Sequence, residues 1–171
     1  MKITALVAAS LVALSAPAHS AQWDIVATMS GLQEVPPNSS TASGSVSGLY
    51  DDVTNTFSWL VNFSGLTGGA ATGGHFHQAP AGANGPVQIS FTDQVSGLLG
   101  GSANGVSVLT EGQEVFLLNN GFYANIHTLE FPGGEIRGQL AASLVPEPAA
   151  WATMALGLLA LGAVGRRKVR H

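Results

Sequence analysis

Apolar and polar positions alternate with a period of two through most of the interior of this chain. Trp23, Ile25, Ala27 and Met29 interleave with Asp24, Val26 and Thr28. Further on, Phe57, Trp59, Val61 and Phe63 share one side of a run whose other side carries Thr56, Ser58 and Asn62. Val87-Gln88-Ile89-Ser90-Phe91 repeats the pattern, and Ile136, Gly138 and Leu140 oppose Glu135, Arg137 and Gln139. Successive side chains of a strand point to opposite faces, so these runs predict half-buried β-strands. No stretch between residues 21 and 144 sustains the 3.6-residue period of an amphipathic helix. Asp51-Asp52 and Asn119-Asn120-Gly121 read as hairpin turns. About seven or eight short strands so spaced predict an all-β domain, an antiparallel Greek-key β-sandwich. Residues 96–113, rich in glycine and serine, read as a long exposed connection and the place for any short helix.

The two ends follow a different pattern. Lys2 precedes an apolar run over residues 3–14 and the small residues around Ala16-Pro17-Ala18, which predicts a cleavable signal peptide over residues 1–20. At the other end Pro146-Glu147-Pro148 leads into an apolar run, predicted as a transmembrane helix over residues 149–165. Arg166, Arg167, Lys168 and Arg170 follow it and would hold that end on the cytoplasmic side. In that order the three parts resemble the PEP-CTERM sorting signal of Gram-negative bacteria, here residues 145–171. The resemblance implies an exosortase-type processing enzyme as partner and transient anchoring in the membrane. It also implies release or attachment at the cell surface. Residues 21–144 form one domain, long enough to bury its own core.

Charge narrows the partners. The whole chain carries a formal −4, but its other cations lie in the leader and the tail. Between residues 21 and 144 nine acidic residues meet one cation, Arg137, a balance of about −8. Such a domain repels phosphate backbones, which excludes nucleic acid, and attracts cations. Cysteine is absent, so disulfides and thiolate ligands are excluded as well. No nucleophile elbow, phosphate-cradling loop or dinucleotide fingerprint is present. The Asp51-Asp52 pair lacks the spaced oxygens of a calcium loop.

Histidine is the chemistry that remains. His75 and His77 stand two apart in Gly-Gly-His-Phe-His, and His127 lies in Tyr-Ala-Asn-Ile-His-Thr. On a strand the first two leave the same face, roughly 6–7 Å apart. A third imidazole from another strand completes a shell suited to copper or zinc, with one position left for water, a carboxylate or substrate. The competing reading is that these rings only hydrogen-bond loops or cap strand ends.

Three blocks together resemble the CHRD domain, named for chordin. They are Met29-Ser30-Gly31-Leu32-Gln33-Glu34-Val35-Pro36-Pro37, then His75-Phe76-His77 through Pro80-Ala81-Gly82 to Gly85-Pro86-Val87. The third runs from Tyr123-Ala124-Asn125-Ile126-His127-Thr128 to Glu135-Ile136-Arg137-Gly138-Gln139-Leu140. The resemblance implies an extracytoplasmic, immunoglobulin-like sandwich. Ala79 stands where that family usually has glycine, so a turn needing positive φ there would be strained. Arg137, the lone cation, is expected to pair with Glu34 or Glu135. A weaker, fold-level likeness to copper–zinc superoxide dismutase makes Arg137 an anion guide instead, although the fourth copper histidine and the zinc cluster have no counterparts. The leading expectation is an exported binding or matrix module holding a transition metal. A metal-dependent redox enzyme of superoxide dismutase type and a purely structural surface or biofilm protein are the alternatives.

Overall fold

The computed structural model describes residues 21–146 and 156–159. The predicted signal peptide, Glu147, Pro148 and most of the predicted helix over 149–165 lie outside the described residues. Among the described residues no helix is long and apolar enough to cross a membrane.

Three nine-residue strands form a meander: β1 (Gln22–Ser30), β2 (Ser43–Asp51) and β3 (Thr56–Ser64) pair antiparallel along their whole length. Asp51 closes the β2–β3 turn, its Oδ1 accepting from the amides of Val53 and Thr54 at 3.1 and 2.9 Å. Asn55 completes that turn at φ +53°, a conformation asparagine tolerates. A second group comprises β4 (Ala71–Gln78), β5 (Val87–Ser90), β7 (Phe122–Thr128) and β8 (Ile136–Gln139). The hydrogen-bonded order is β5-β4-β7-β8-β1-β2-β3-β6, with β6 (Gly101–Val108) on β3 and β9 (Ala141–Leu144) on β1. Strands β3 and β4 are distant in that order, yet Trp59 and Phe76 meet edge-on with ring centroids 5.2 Å apart. The sheet therefore folds over on itself. Ile25, Met29, Val46, Phe57, Val61 and Phe63 from one layer pack against Phe76, Phe122, Ala124 and Ile126 from the other. This is the expected all-β sandwich, the chain crossing between layers from β3 to β4, from β5 to β6 and from β6 to β7.

Two local expectations fail. Residues 96–113 are not an open connection, because β6 pairs with β3 from Thr56↔Val108 to Phe63↔Gly101. The β6 sequence Gly-Ser-Ala-Asn-Gly-Val-Ser-Val has little intrinsic strand preference; pairing with a packed neighbour overrides it. Its outer edge is covered at Asn104, whose amide and carbonyl both bond the Gln94 side chain from α1 (Thr92–Val95). A side-chain amide thus stands in for the next strand and blunts the edge. The Asn119-Asn120-Gly121 segment is not a hairpin turn either. It terminates α2 (Glu111–Leu118), a helix opened by a Thr110–Gln113 capping box, with Asn120 at φ +57° before β7 begins.

Chain entry and exit lie side by side. The Ala21 amide donates to Asp52 Oδ1 at 2.8 Å, and the Val145 amide to the Gln22 carbonyl at 2.8 Å.

Candidate metal centre

Alternation on β4, β7 and β8 sends Phe76, Phe122, Ala124, Ile126 and Ile136 into the core. His75, His77, Tyr123, Asn125, His127, Arg137 and Gln139 therefore share the opposite face. That face is covered in turn. Tyr123, Asn125 and Arg137 are each at most 2 % exposed and His77 is 8 % exposed, under the loops that carry Glu34 and Pro80–Gly85. The outer face is a second, polar interior.

Within it the three predicted histidines converge. Ring centroids lie 5.5 Å apart for His75–His77, 5.1 Å for His75–His127 and 5.9 Å for His77–His127. One nitrogen of each ring is committed: His75 Nε2 to the Thr92 hydroxyl, His77 Nδ1 to the Gly85 carbonyl and His127 Nδ1 to the Pro132 carbonyl, each at 3.0 Å. The other nitrogen of each ring, Nδ1 of His75 and Nε2 of His77 and His127, is buried and has no hydrogen-bond partner. The three rings offer donor atoms within 4.8 Å of one another. A tetrahedral ion at about 2.0–2.1 Å brings its ligands to roughly 3.4 Å, so loading draws the rings inward by about 1 Å. Fixing one ring nitrogen on a carbonyl or hydroxyl while leaving the other bare is how proteins set the tautomer of a ligating histidine.

Electrostatics favour the neutral rings a metal needs. Burial presses His127 down to about 4; the Pro132 carbonyl opposes this, while His75 and His77 add to it. Burial lowers His75 as well, reinforced by His77. For His77, burial and the Arg137 charge outweigh the opposing Gly85 carbonyl. An unfolded histidine titrates near 6.5, so between about pH 6.5 and 4 the unfolded chain takes up His127's proton first. Stability of the metal-free protein is expected to fall over that window as pH drops, with no further loss from this group below it. Urea unfolding at several pH values checks this. His127→Gln should flatten that stretch; an unchanged slope would refute the assignment.

Arg137 does not pair directly with Glu34 or Glu135. Its terminal nitrogens donate to the Ala83 and Pro80 carbonyls at 2.8 and 3.2 Å, to Asn84 Oδ1 at 3.2 Å and to Gln139 Oε1 at 3.0 Å. The guanidinium also lies 3.5 Å over the Tyr123 ring, and that ring stacks on His77 at 4.9 Å and 6°. Both carboxylates find hydrogen-bond donors elsewhere, and the guanidinium goes to the oxygens of the Pro80–Asn84 loop that crosses above it. Glu34 takes Asn125 Nδ2 on both oxygens at 3.2 Å. Burial pushes it up to about 7, against the opposing pull of Arg137, Asn125 and the Val35 backbone. Glu135 binds Ser40, Thr67, Gly68 and Thr128. Ala79 is buried without left-handed backbone, and Gly82 at φ +79° makes the turn, so the expected strain at Ala79 does not arise. Pro146 is exposed beyond β9.

Sequence reasoning missed Thr92, Tyr123 and Asn125. The last two were within reach: Tyr-Ala-Asn-Ile-His places polar side chains at every second position of one strand, in phase with His127.

An antiparallel β-sandwich with a partly buried three-histidine cluster on its outer sheet face defines the class of protein. The chain belongs to the CHRD domain family, whose model matches residues 25–140 and so spans all three sequence blocks. No curated protein and no solved structure matches it.

Proposed function

We propose that the domain is an exported CHRD binding module that holds one transition metal ion, copper or zinc, on His75, His77 and His127. One observation carries this reading: three rings bring a ligand nitrogen each within 4.8 Å of one another, and each ring has one buried nitrogen without a partner while its sister nitrogen is engaged. An unsatisfied buried acceptor costs about 1–3 kcal/mol, and three together are costly unless something binds them. The nitrogen-only donor set suits copper or zinc over calcium or magnesium. The apolar leader and the Pro146-Glu147-Pro148 tail support export, processing by an exosortase-type enzyme and residence at or beyond the surface of a Gram-negative cell.

The superoxide dismutase alternative is less well supported, because Arg137 is 1 % exposed and spends both terminal nitrogens on internal oxygens. Metal analysis of the purified protein should find about one equivalent of copper or zinc per chain. His77→Ala should lose it while remaining folded. A metal-free wild type that stays metal-free with excess copper and zinc would leave a structural surface protein instead.

A further inference from the structure

The charges around the three rings bear on which ion they suit. All three donors are neutral imidazoles, and no carboxylate belongs to the cluster. Their outer partners are neutral as well: the Thr92 hydroxyl behind His75, the Gly85 carbonyl behind His77 and the Pro132 carbonyl behind His127. Sites for divalent zinc or copper often place a carboxylate among the ligands or behind a ligating histidine, where it offsets the charge of the ion. Here the buried carboxylates are spent elsewhere. Glu34 gives both oxygens to Asn125, and Glu135 gives its own to Ser40, Thr67, Gly68 and Thr128.

The charge that the fold does bring up to the rings is positive. The Arg137 guanidinium lies 3.5 Å from the centre of the Tyr123 ring, and that ring stacks on His77 with centroids 4.9 Å apart. Arg137 and Tyr123 are both at most 2 % exposed, so solvent ions screen little of that charge. Its action on His77 is already to disfavour a second positive charge there. The cost of placing an ion in such surroundings grows with the square of its charge, so a divalent ion costs about four times what a monovalent one does. Repulsion from Arg137 doubles as well. The cuprous ion carries a single charge, and three nitrogen donors satisfy it without a fourth ligand. We infer that His75, His77 and His127 form a site for monovalent copper, and that the Arg137–Tyr123–His77 stack selects against divalent ions. This rests on the metal reading above and names the ion and oxidation state that the same site takes.

The test compares copper(I) and copper(II) on the purified protein. Copper(I) is titrated without oxygen, with ascorbate present, against bathocuproine disulfonate; copper(II) is titrated in air against glycine. The wild type should hold copper(I) more tightly by at least about tenfold. Thr92→Asp puts a carboxylate behind His75 at a half-buried position. It should narrow the preference by about tenfold, or about 59 mV in the potential of the bound couple. Thr92→Asn, equal in size and uncharged, should leave the preference unchanged. If the wild type takes up neither copper ion nor zinc, the metal reading itself falls. If it binds metal but its preference for copper(I) is below about tenfold, only the inference falls. The inference falls likewise if Thr92→Asp leaves the preference intact, or if Thr92→Asn narrows it as much. Should Thr92→Asp fail to fold, the wild-type preference alone decides.

Discussion

Arg137→Ala is expected to lower stability by about 3–5 kcal/mol, in the range for removing one member of a buried, charge-assisted network. The side chain reaches Pro80, Ala83 and Asn84 in one loop and Gln139 on its own strand, so its loss unties that loop from β8 and leaves a gap beneath it. In a domain of this size that corresponds to a fall in Tm of at least about 10 °C. The same loop ends at Gly85, whose carbonyl fixes His77 and whose amide donates to the Tyr123 hydroxyl at 3.2 Å. A Cβ at Gly85 would lie 1.9 Å from the Gln78 carbonyl oxygen, so only glycine lets the loop approach β4 this closely. Metal affinity should therefore fall together with stability. Arg137→Lys, which keeps the charge but not the planar fork, should recover only part of both. Thermal melts with copper titrations measure the two effects. An unchanged melt accompanied by lost reactivity would return Arg137 to the role of anion guide.

Glu135→Ala is expected to be about as damaging, some 3–4 kcal/mol. Its Oε1 accepts from the Ser40 hydroxyl, the Thr67 amide and the Thr67 hydroxyl at 2.7, 2.6 and 3.0 Å. Its Oε2 accepts from the Gly68 amide and the Thr128 hydroxyl at 3.1 and 2.8 Å. One carboxylate thus ties the segment after β1 and the β3–β4 connection to the start of β8. Burial pushes its pKa upward, but the Ser40, Thr67 and Thr128 donors outweigh that and hold it below the ordinary value. The sign follows: its contribution is present above the unfolded carboxyl pKa, near 4.3, and is lost as pH falls through the lower folded value. Glu135→Gln should flatten the acid limb of the stability curve and cost less than alanine does. Equal acid sensitivity in the variant and the wild type would refute this.

The strands that sequence makes legible are those with one wet face. The period of two in β1 and β3 matches burial residue by residue, because one side meets the core and the other meets solvent. Strand β8 was read correctly as a strand, but its polar side proved as buried as its apolar side, since loops roof it over. Alternation reports which residues share a face and not what later covers that face. Strand β6 was illegible because its glycines and serines take their conformation from β3. The three histidines were legible by type and spacing. Their outer partners were not, because Gly85 and Pro132 act through backbone carbonyls that any residue carries. The same reason misdirected the pairing of Arg137: carboxylates are visible in a sequence, whereas a loop turning its carbonyls inward is not.

The adjacency of chain entry and exit has a consequence for presentation. Leu144 pairs with Trp23 beside both ends, whereas His127 lies just beyond Ile136, the pairing partner of its neighbour Ile126. Eight residues of nearly continuous extended chain separate those levels, about 26 Å. Chain entry and exit therefore share one end of the sheet, and His127 lies toward the other.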